Sequence, residues 1–184
     1  MSLAVAMCML PPAAAIWLNP AVMDSALASP DPLAVLHKVF GFPDFRGPQA
    51  EIVGHVMGGG SALVLMPTGG GKSLCYQIPA ICRAGVGVVV SPLIALMQDQ
   101  VAALTQRGVA AAALHSAMSW DDQREVEGRL RVGALDLLYV SPERIMGFLD
   151  RLSHVDVALF AIAYRDLLLL KLLVAKDEHI WDLL

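Results

Sequence analysis

Short apolar runs alternate with longer stretches in which apolar positions recur every three or four residues, and the rhythm holds from Pro32 to Ile162. The helical spacing predicts helices over Pro32–Val39, Gln49–Met57, Ser73–Ile81, Leu93–Gln106, Trp120–Leu130 and Pro142–Leu152. Between them lie Ala62–Met66, Val86–Val90, Ala110–Leu114, Leu135–Val140 and Val155–Ile162, short enough and apolar enough to read as strands. Strands that alternate with helices predict an α/β fold, a parallel sheet flanked by crossover helices. Continuous apolar strands suit a sheet covered on both faces. Ligands of such sheets bind beyond the carboxyl ends of the strands, so the turns after Met66, Val90 and Val140 should share one edge. No internal repeat interrupts the pattern.

Composition narrows the picture. A chain of 184 residues is one domain with a substantial core. It is 57% hydrophobic and 16% charged, with mean hydropathy +0.61, apolar for a soluble domain and suited to a doubly covered sheet. A net charge of −4 argues against a surface that coats nucleic acid through phosphate neutralisation, while leaving room for local contacts through N–H groups and helix ends. Cys75 and Cys82 are seven positions apart, on one face of the predicted helix. They read as buried thiols, since no second Cys or His pair completes a zinc set. Without a disulfide framework, a cytoplasmic setting is expected.

The ends differ from the middle. Residues 1–30 form an apolar extension rich in Ala and Pro, expected to be poorly ordered. With no Lys or Arg before Lys38 it is a poor secretory signal, and Met23 is an alternative start. Residues 163–184 form a divergent tail whose leucine run is broken by Arg165, Asp166 and Lys171, so no membrane span is expected.

The chemistry concentrates in Leu63-Val64-Leu65-Met66-Pro67-Thr68-Gly69-Gly70-Gly71-Lys72-Ser73. An apolar strand runs into a glycine turn that ends where a helix begins. The glycines let successive backbone N–H groups turn inward as an anion nest, and the helix adds its positive end. Thr68, Gly69, Gly70, Gly71, Lys72 and Ser73 are therefore candidates to bind a nucleoside triphosphate. Lys72 would reach the β- and γ-phosphates and Ser73 would bind Mg²⁺. Met66 stands where the general phosphate-loop pattern has its first glycine.

Four flanking segments extend the motif. Upstream, Leu36, Phe40-Gly41, Phe45-Arg46 and Gln49 fall at the spacing L-x₃-F-G-x₃-F-R-x₂-Q. Downstream come Ser73-Leu74-Cys75-Tyr76-Gln77-Ile78-Pro79-Ala80, then Val90-Ser91-Pro92-Leu93 through Gln100, then Tyr139-Val140-Ser141-Pro142-Glu143-Arg144. In this order the series resembles the first motor lobe of RecQ-family DNA helicases, over roughly Leu33 to Ile162. The resemblance implies a RecA-like P-loop NTPase lobe over residues 31–162, incomplete, and ATP and Mg²⁺ as cofactors. It implies ATP-driven 3′→5′ DNA unwinding, in DNA repair and recombination, for the intact family member. It assigns adenine recognition to Arg46 and Gln49; a glutamine amide matches adenine N6 and N7, and a guanidinium can stack on the base. It assigns phosphate chemistry to Lys72, and contact with single-stranded DNA to Ser91 through Gln100, with a plain helix cap as the other role for Ser91 and Ser141. His115-Ser116, after a strand, is placed either near the DNA path or in a solvated loop.

The resemblance stops after Ile162. Where the family continues into Asp-Glu-Ala-His, this chain reads Ala163, Tyr164, Arg165 and Asp166. Alanine offers a metal no oxygen, and a neutral phenol is a poor general base near pH 7. Lys176-Asp177-Glu178-His179 lies too far along to substitute and reads as a solvated charge cluster. A frameshift, a truncated gene copy and an engineered end all produce such a break. The expected partners are ATP or ADP, with single-stranded DNA weak or absent, no membrane, and no second helicase lobe. Isolated catalysis is not expected; a non-catalytic nucleotide- or DNA-binding module and a non-functional fragment are the alternatives. The coding DNA separates the origins: an Asp-Glu-Ala-His continuation in another frame past Ile162 identifies a frameshift, and its absence from both frames excludes one.

Overall fold

The computed structural model describes residues 2–8, 29–67 and 69–164. Six strands form one sheet in the order β2-β1-β6-β3-β5-β4. They are β1 (Ser2–Cys8), β2 (Ala62–Pro67), β3 (Val86–Val90), β4 (Ala111–Leu114), β5 (Leu137–Val140) and β6 (Val157–Tyr164). The helices are α1 (Pro32–Val35), α2 (Gln49–Met57), α3 (Leu74–Cys82), α4 (Ile94–Thr105), α5 (Trp120–Arg131), α6 (Pro142–Ile145) and α7 (Leu149–Leu152). Strands β6, β3, β5 and β4 are mutually parallel, and β1 pairs antiparallel with both β2 and β6. The parallel α/β reading therefore holds, with one reversed strand added.

That strand comes from outside the predicted alternation. Ser2–Cys8, in the N-terminal extension, is an interior strand. The reason is long-range. Without β1, the facing backbone groups of β2 and β6 would lack ladder partners, and unpaired N–H and C=O groups are costly. No local pattern announces this pairing, because both partners lie far along the chain. Residues 9–28 and the tail from Arg165 onward lie outside the described residues.

The core divides at the sheet. Val89, Leu137, Tyr139, Leu159 and Ala161 pack on one face with Met97 and Leu104 of α4. Val88, Val90, Leu138, Val140 and Ile162 pack on the other with Val126 and Leu130 of α5 and with Ile145, Phe148 and Leu152. This is the alternation a pleated strand imposes. On the edge strand β2, Val64 and Met66 join the first cluster, whereas Leu63 and Leu65 are exposed on the opposite side, at 60% and 56%. The predicted helix over Pro142–Leu152 is instead three short turns, because its 3₁₀ stretch Met146–Phe148 separates α6 from α7. The first helix is also modified: it continues from α1 as a π-helix, Leu36–Phe40, closed by Gly41 at φ +73°.

Helix α3 rests closely on β3 because Gly87 has no side chain. A Cβ there would stand 2.5 Å from the Ala80 methyl carbon. Gly87→Ala is therefore expected to destabilise the domain by about 1–3 kcal/mol through overpacking, and adding Ala80→Gly should recover part of the loss. Urea unfolding of both variants checks this; an unchanged midpoint for Gly87→Ala would rule out the close approach.

Candidate functional site

Strands β3, β4 and β5 end level and β6 and β2 run a little beyond them, which brings the expected turns to one edge. Val90 is opposite Ile162 and Val140, and Val140 is opposite Leu114. Through Val5, Ala163 lies level with Val64 of β2. A cavity of about 530 Å³ opens at this edge, with Gly69, Gly71, Lys72 and Ser73 on one side and Ser91, Pro92 and Leu93 on another. Ala163 also lines it. The Ser141-Pro142 turn is on the same edge but outside this lining. Thr68 lies outside the described residues.

The glycine turn has the geometry its composition predicts. Gly69 and Gly71 sit at φ +82° and +74°, where a side chain is strained. At Gly71 a Cβ would also collide with the Gln49 amide nitrogen. Gly70 N–H closes the turn by donating to Pro67 O at 3.1 Å. Lys72 is 5% exposed, and its Nζ donates to Met66 O at 2.8 Å and Pro67 O at 2.6 Å. Burial lowers its pKa, while the nearby Cys75 acts in the opposite direction. The ammonium thus sits against the end of β2, bonded to two carbonyls and beside the cavity. Burial pushes the Cys75 thiol up to about 11, so it stays protonated and unreactive near neutrality. Cys75 and Cys82 are free, buried thiols, as their spacing suggested.

The upstream segment reaches the loop through one side chain. Gln49 is 3% exposed; its Oε1 accepts from Arg46 N–H at 2.8 Å, and its Nε2 donates to Gly71 O at 3.1 Å and Gly70 O at 3.4 Å. The amide expected to read adenine is therefore turned onto the loop. Arg46 is exposed, with its guanidinium 5.8 Å from the Phe42 ring centroid, a stacked arrangement at the surface.

Ser91 is 2% exposed and its Oγ has no hydrogen-bond partner among the described residues, although it lines the cavity. It is not the cap of α4, which begins three residues later with Leu93 at the cap position. Ser141 does hold the cap position of α6, without a side-chain cap bond. His115 is buried with its Nδ1 unpartnered, which replaces the solvated-loop alternative. Neighbouring Ser116 donates to Glu143 at 3.2 Å.

Tyr76 and Tyr139 belong to the first core cluster and also line the cavity. Behind them Gln77 donates to Tyr139 at 2.9 Å. The available signal was a glutamine inside the apolar helix Leu74–Cys82, since a buried amide needs partners. A metal finds little here. Ser73 offers one hydroxyl, Ala163 offers nothing, and no group of three His, Cys, Asp or Glu among the described residues could hold an ion. These residues do not form a metal site by themselves. Nor is any helix among the described residues long and apolar enough to cross a membrane.

Comparison with known proteins matches residues 46–173 to the DEAD/DEAH box helicase family. The chain is 48% identical to the ATP-dependent DNA helicase RecQ of Pasteurella multocida over 132 residues, 71% of this chain and 21% of that protein. It is 44% identical to the RecQ helicase of Haemophilus influenzae over 147 residues, 79% of this chain and 24% of that protein. It is 46% identical over 114 residues to the ATP-dependent helicase SGS1 of Saccharomyces cerevisiae, 60% of this chain and 8% of that protein. The chain thus spans about a quarter or less of these relatives.

The Gln49 contacts carry a prediction of their own. Gln49→Ala should leave the Gly70 and Gly71 carbonyls without this donor and destabilise the domain by about 1–3 kcal/mol, with faster proteolysis at the loop. Equal unfolding midpoints and equal cleavage would show that Gln49 does not hold the loop.

Proposed function

Because this chain belongs to the DEAD/DEAH box helicase family and its matched region is that of the RecQ helicases, we propose that it is a nucleotide-binding motor lobe that holds ATP or ADP with little or no hydrolysis of its own. The observation that carries this reading is the cavity wall: the phosphate loop and Ala163 face one space, and Ala163 brings no carboxylate to it. Lys72 and Ser73 are the groups for the phosphates, with Gly69 and Gly71 supplying N–H donors beside Thr68 and Gly70 closing the turn through Pro67 O. Lys72 would exchange two neutral carbonyls for phosphate oxygens, a stronger charge-assisted contact. Mg²⁺ would arrive with the nucleotide, with the Ser73 hydroxyl as the available protein ligand.

Phosphoryl transfer in this kind of motor depends on a metal-holding acid, a positioned water and an arginine supplied to the transition state. The cradle accounts for binding and supplies none of these three. Adenine recognition by Arg46 and Gln49 belongs to the same proposal and requires the Gln49 amide to turn away from Gly70 and Gly71. Single-stranded DNA is the proposed second ligand, met through Ser91, whose buried unpartnered hydroxyl favours a polar ligand at the cavity. The setting proposed is cytoplasmic.

A thermal melt of the purified chain with Mg²⁺-ATP tests the core of this reading. Nucleotide at 100 times its Kd is expected to add roughly 2.7 kcal/mol to a protein that binds it only when folded. Lys72→Ala should lose the shift. A wild-type melt indifferent to nucleotide would exclude the proposed ligand, and DNA-stimulated hydrolysis abolished by Lys72→Ala would exclude the non-catalytic role.

A further inference from the structure

Behind Tyr76, Gln100 and Tyr139, which line the cavity, lies a polar contact that the phosphate cradle does not use. Gln77 Nε2 donates to Gln100 Oε1 at 2.9 Å and to the Tyr139 hydroxyl at 2.9 Å. The Tyr139 hydroxyl lies 3.4 Å from that of Tyr76, with the two rings edge-on at 6.4 Å. Gln77, Tyr76 and Tyr139 are 4%, 3% and 1% exposed. A single amide nitrogen therefore joins three elements: α3, α4 and β5.

Packing alone does not explain a glutamine here. A methionine of similar length would fill the volume without a polar group to satisfy, and buried amides are costly unless paired. A satisfied buried network does something packing cannot: it specifies one relative arrangement of the elements it joins. A carboxamide carries two N–H donors, and both are committed, one to each neighbour.

The location gives that arrangement a use. Gln77 N–H donates to Ser73 O at 2.9 Å, so the amide is fixed one turn from the residue that closes the phosphate loop. At the other end Gln100 belongs to α4, which follows the Ser91-Pro92-Leu93 turn and lines the cavity with Leu96, Met97 and Gln100. Met97 and Leu104 are the residues of α4 fully buried in the core, with Ile94 and Val101 packed partly buried beside them. A shift of the first turn of α3 either carries α4 with it or leaves a buried donor unpaired.

We propose that Gln77 is a positioning residue that makes the placement of α4 depend on the occupancy of the phosphate loop. The inference rests on the nucleotide-binding reading above. It makes the cavity a coupling site as well as a binding site: the loop reports on nucleotide, and the Gln77–Gln100 bond passes the report to the helix behind Ser91.

Hydrogen–deuterium exchange of the full chain, with and without Mg²⁺-ATP, tests it in the wild type, Gln77→Met and Gln100→Met, with thermal shifts measured alongside. In the wild type, nucleotide is expected to change exchange across 94–105 by about fivefold or more, the lower end of ordinary coupling between sites. Gln77→Met should keep its nucleotide-induced thermal shift while the response of α4 falls below about twofold. A purely structural glutamine would lower the melting temperature and leave that response intact. Such a result overturns the relay, as does a wild type that binds nucleotide with no change in α4; either leaves the binding reading standing. Absence of any nucleotide-induced shift in the wild type overturns both. If Gln77→Met fails to fold, Gln100→Met, which removes the acceptor on α4, decides: a weakened α4 response supports the relay, and a full response overturns it.

Discussion

Burial of β3 on both faces is the constraint from which the rest of the molecule is arranged. All five residues Val86–Val90 are buried, and the strand pairs on one side with β5 and on the other with β6. Such a strand tolerates no polar side chain, so the chemistry is displaced to the turn beyond its end, where Ser91 stands. Gly87 lets α3 approach until Ala80 touches the strand, and α3 carries Lys72 and Ser73 at its start. The position of the phosphate loop therefore follows from a glycine in the sheet as much as from the glycines in the loop.

The loop is held from two directions. Lys72 bonds to the carbonyls of Met66 and Pro67, and Gln49 bonds to those of Gly70 and Gly71. Both side chains are those expected to serve the nucleotide, and both are engaged with the backbone instead. Carbonyls turned toward an ammonium or an amide would face an anion unfavourably if left bare, so these bonds organise the same groups a phosphate would have to displace. Binding on this account is an exchange of partners, and its strength depends on how much better a phosphate serves Lys72 than two neutral carbonyls do.

The departure at the end of β6 changes the chemistry without disturbing the architecture. Ala163 continues the strand, packs against the first core cluster and lines the cavity. A small apolar residue at a level strand end is compatible with the fold and incompatible with holding a metal. The scaffold accommodates such a residue because the sheet is specified by residues spread over the whole chain and not by one strand-end position.

Much of this was legible from the residues alone. Three-to-four-residue periodicity and short apolar runs specified most of the strands and longer helices nearly to their ends, as at Gln49–Met57 and Val86–Val90, because their signals are local. The glycine turn with Lys72 and Ser73 was legible for the same reason: backbone freedom, charge and helix start fall within a few residues. What no local pattern carried was partner choice across the chain. That Ser2–Cys8 would fill the space between β2 and β6, that Gln49 would turn onto Gly71, and that Gln77 would meet Gln100 and Tyr139 were decided only by the tertiary structure. Each depends on unpaired polar groups being brought together by burial from distant positions, and their hydrogen-bond needs, invisible along the sequence, are met only once the sheet has formed.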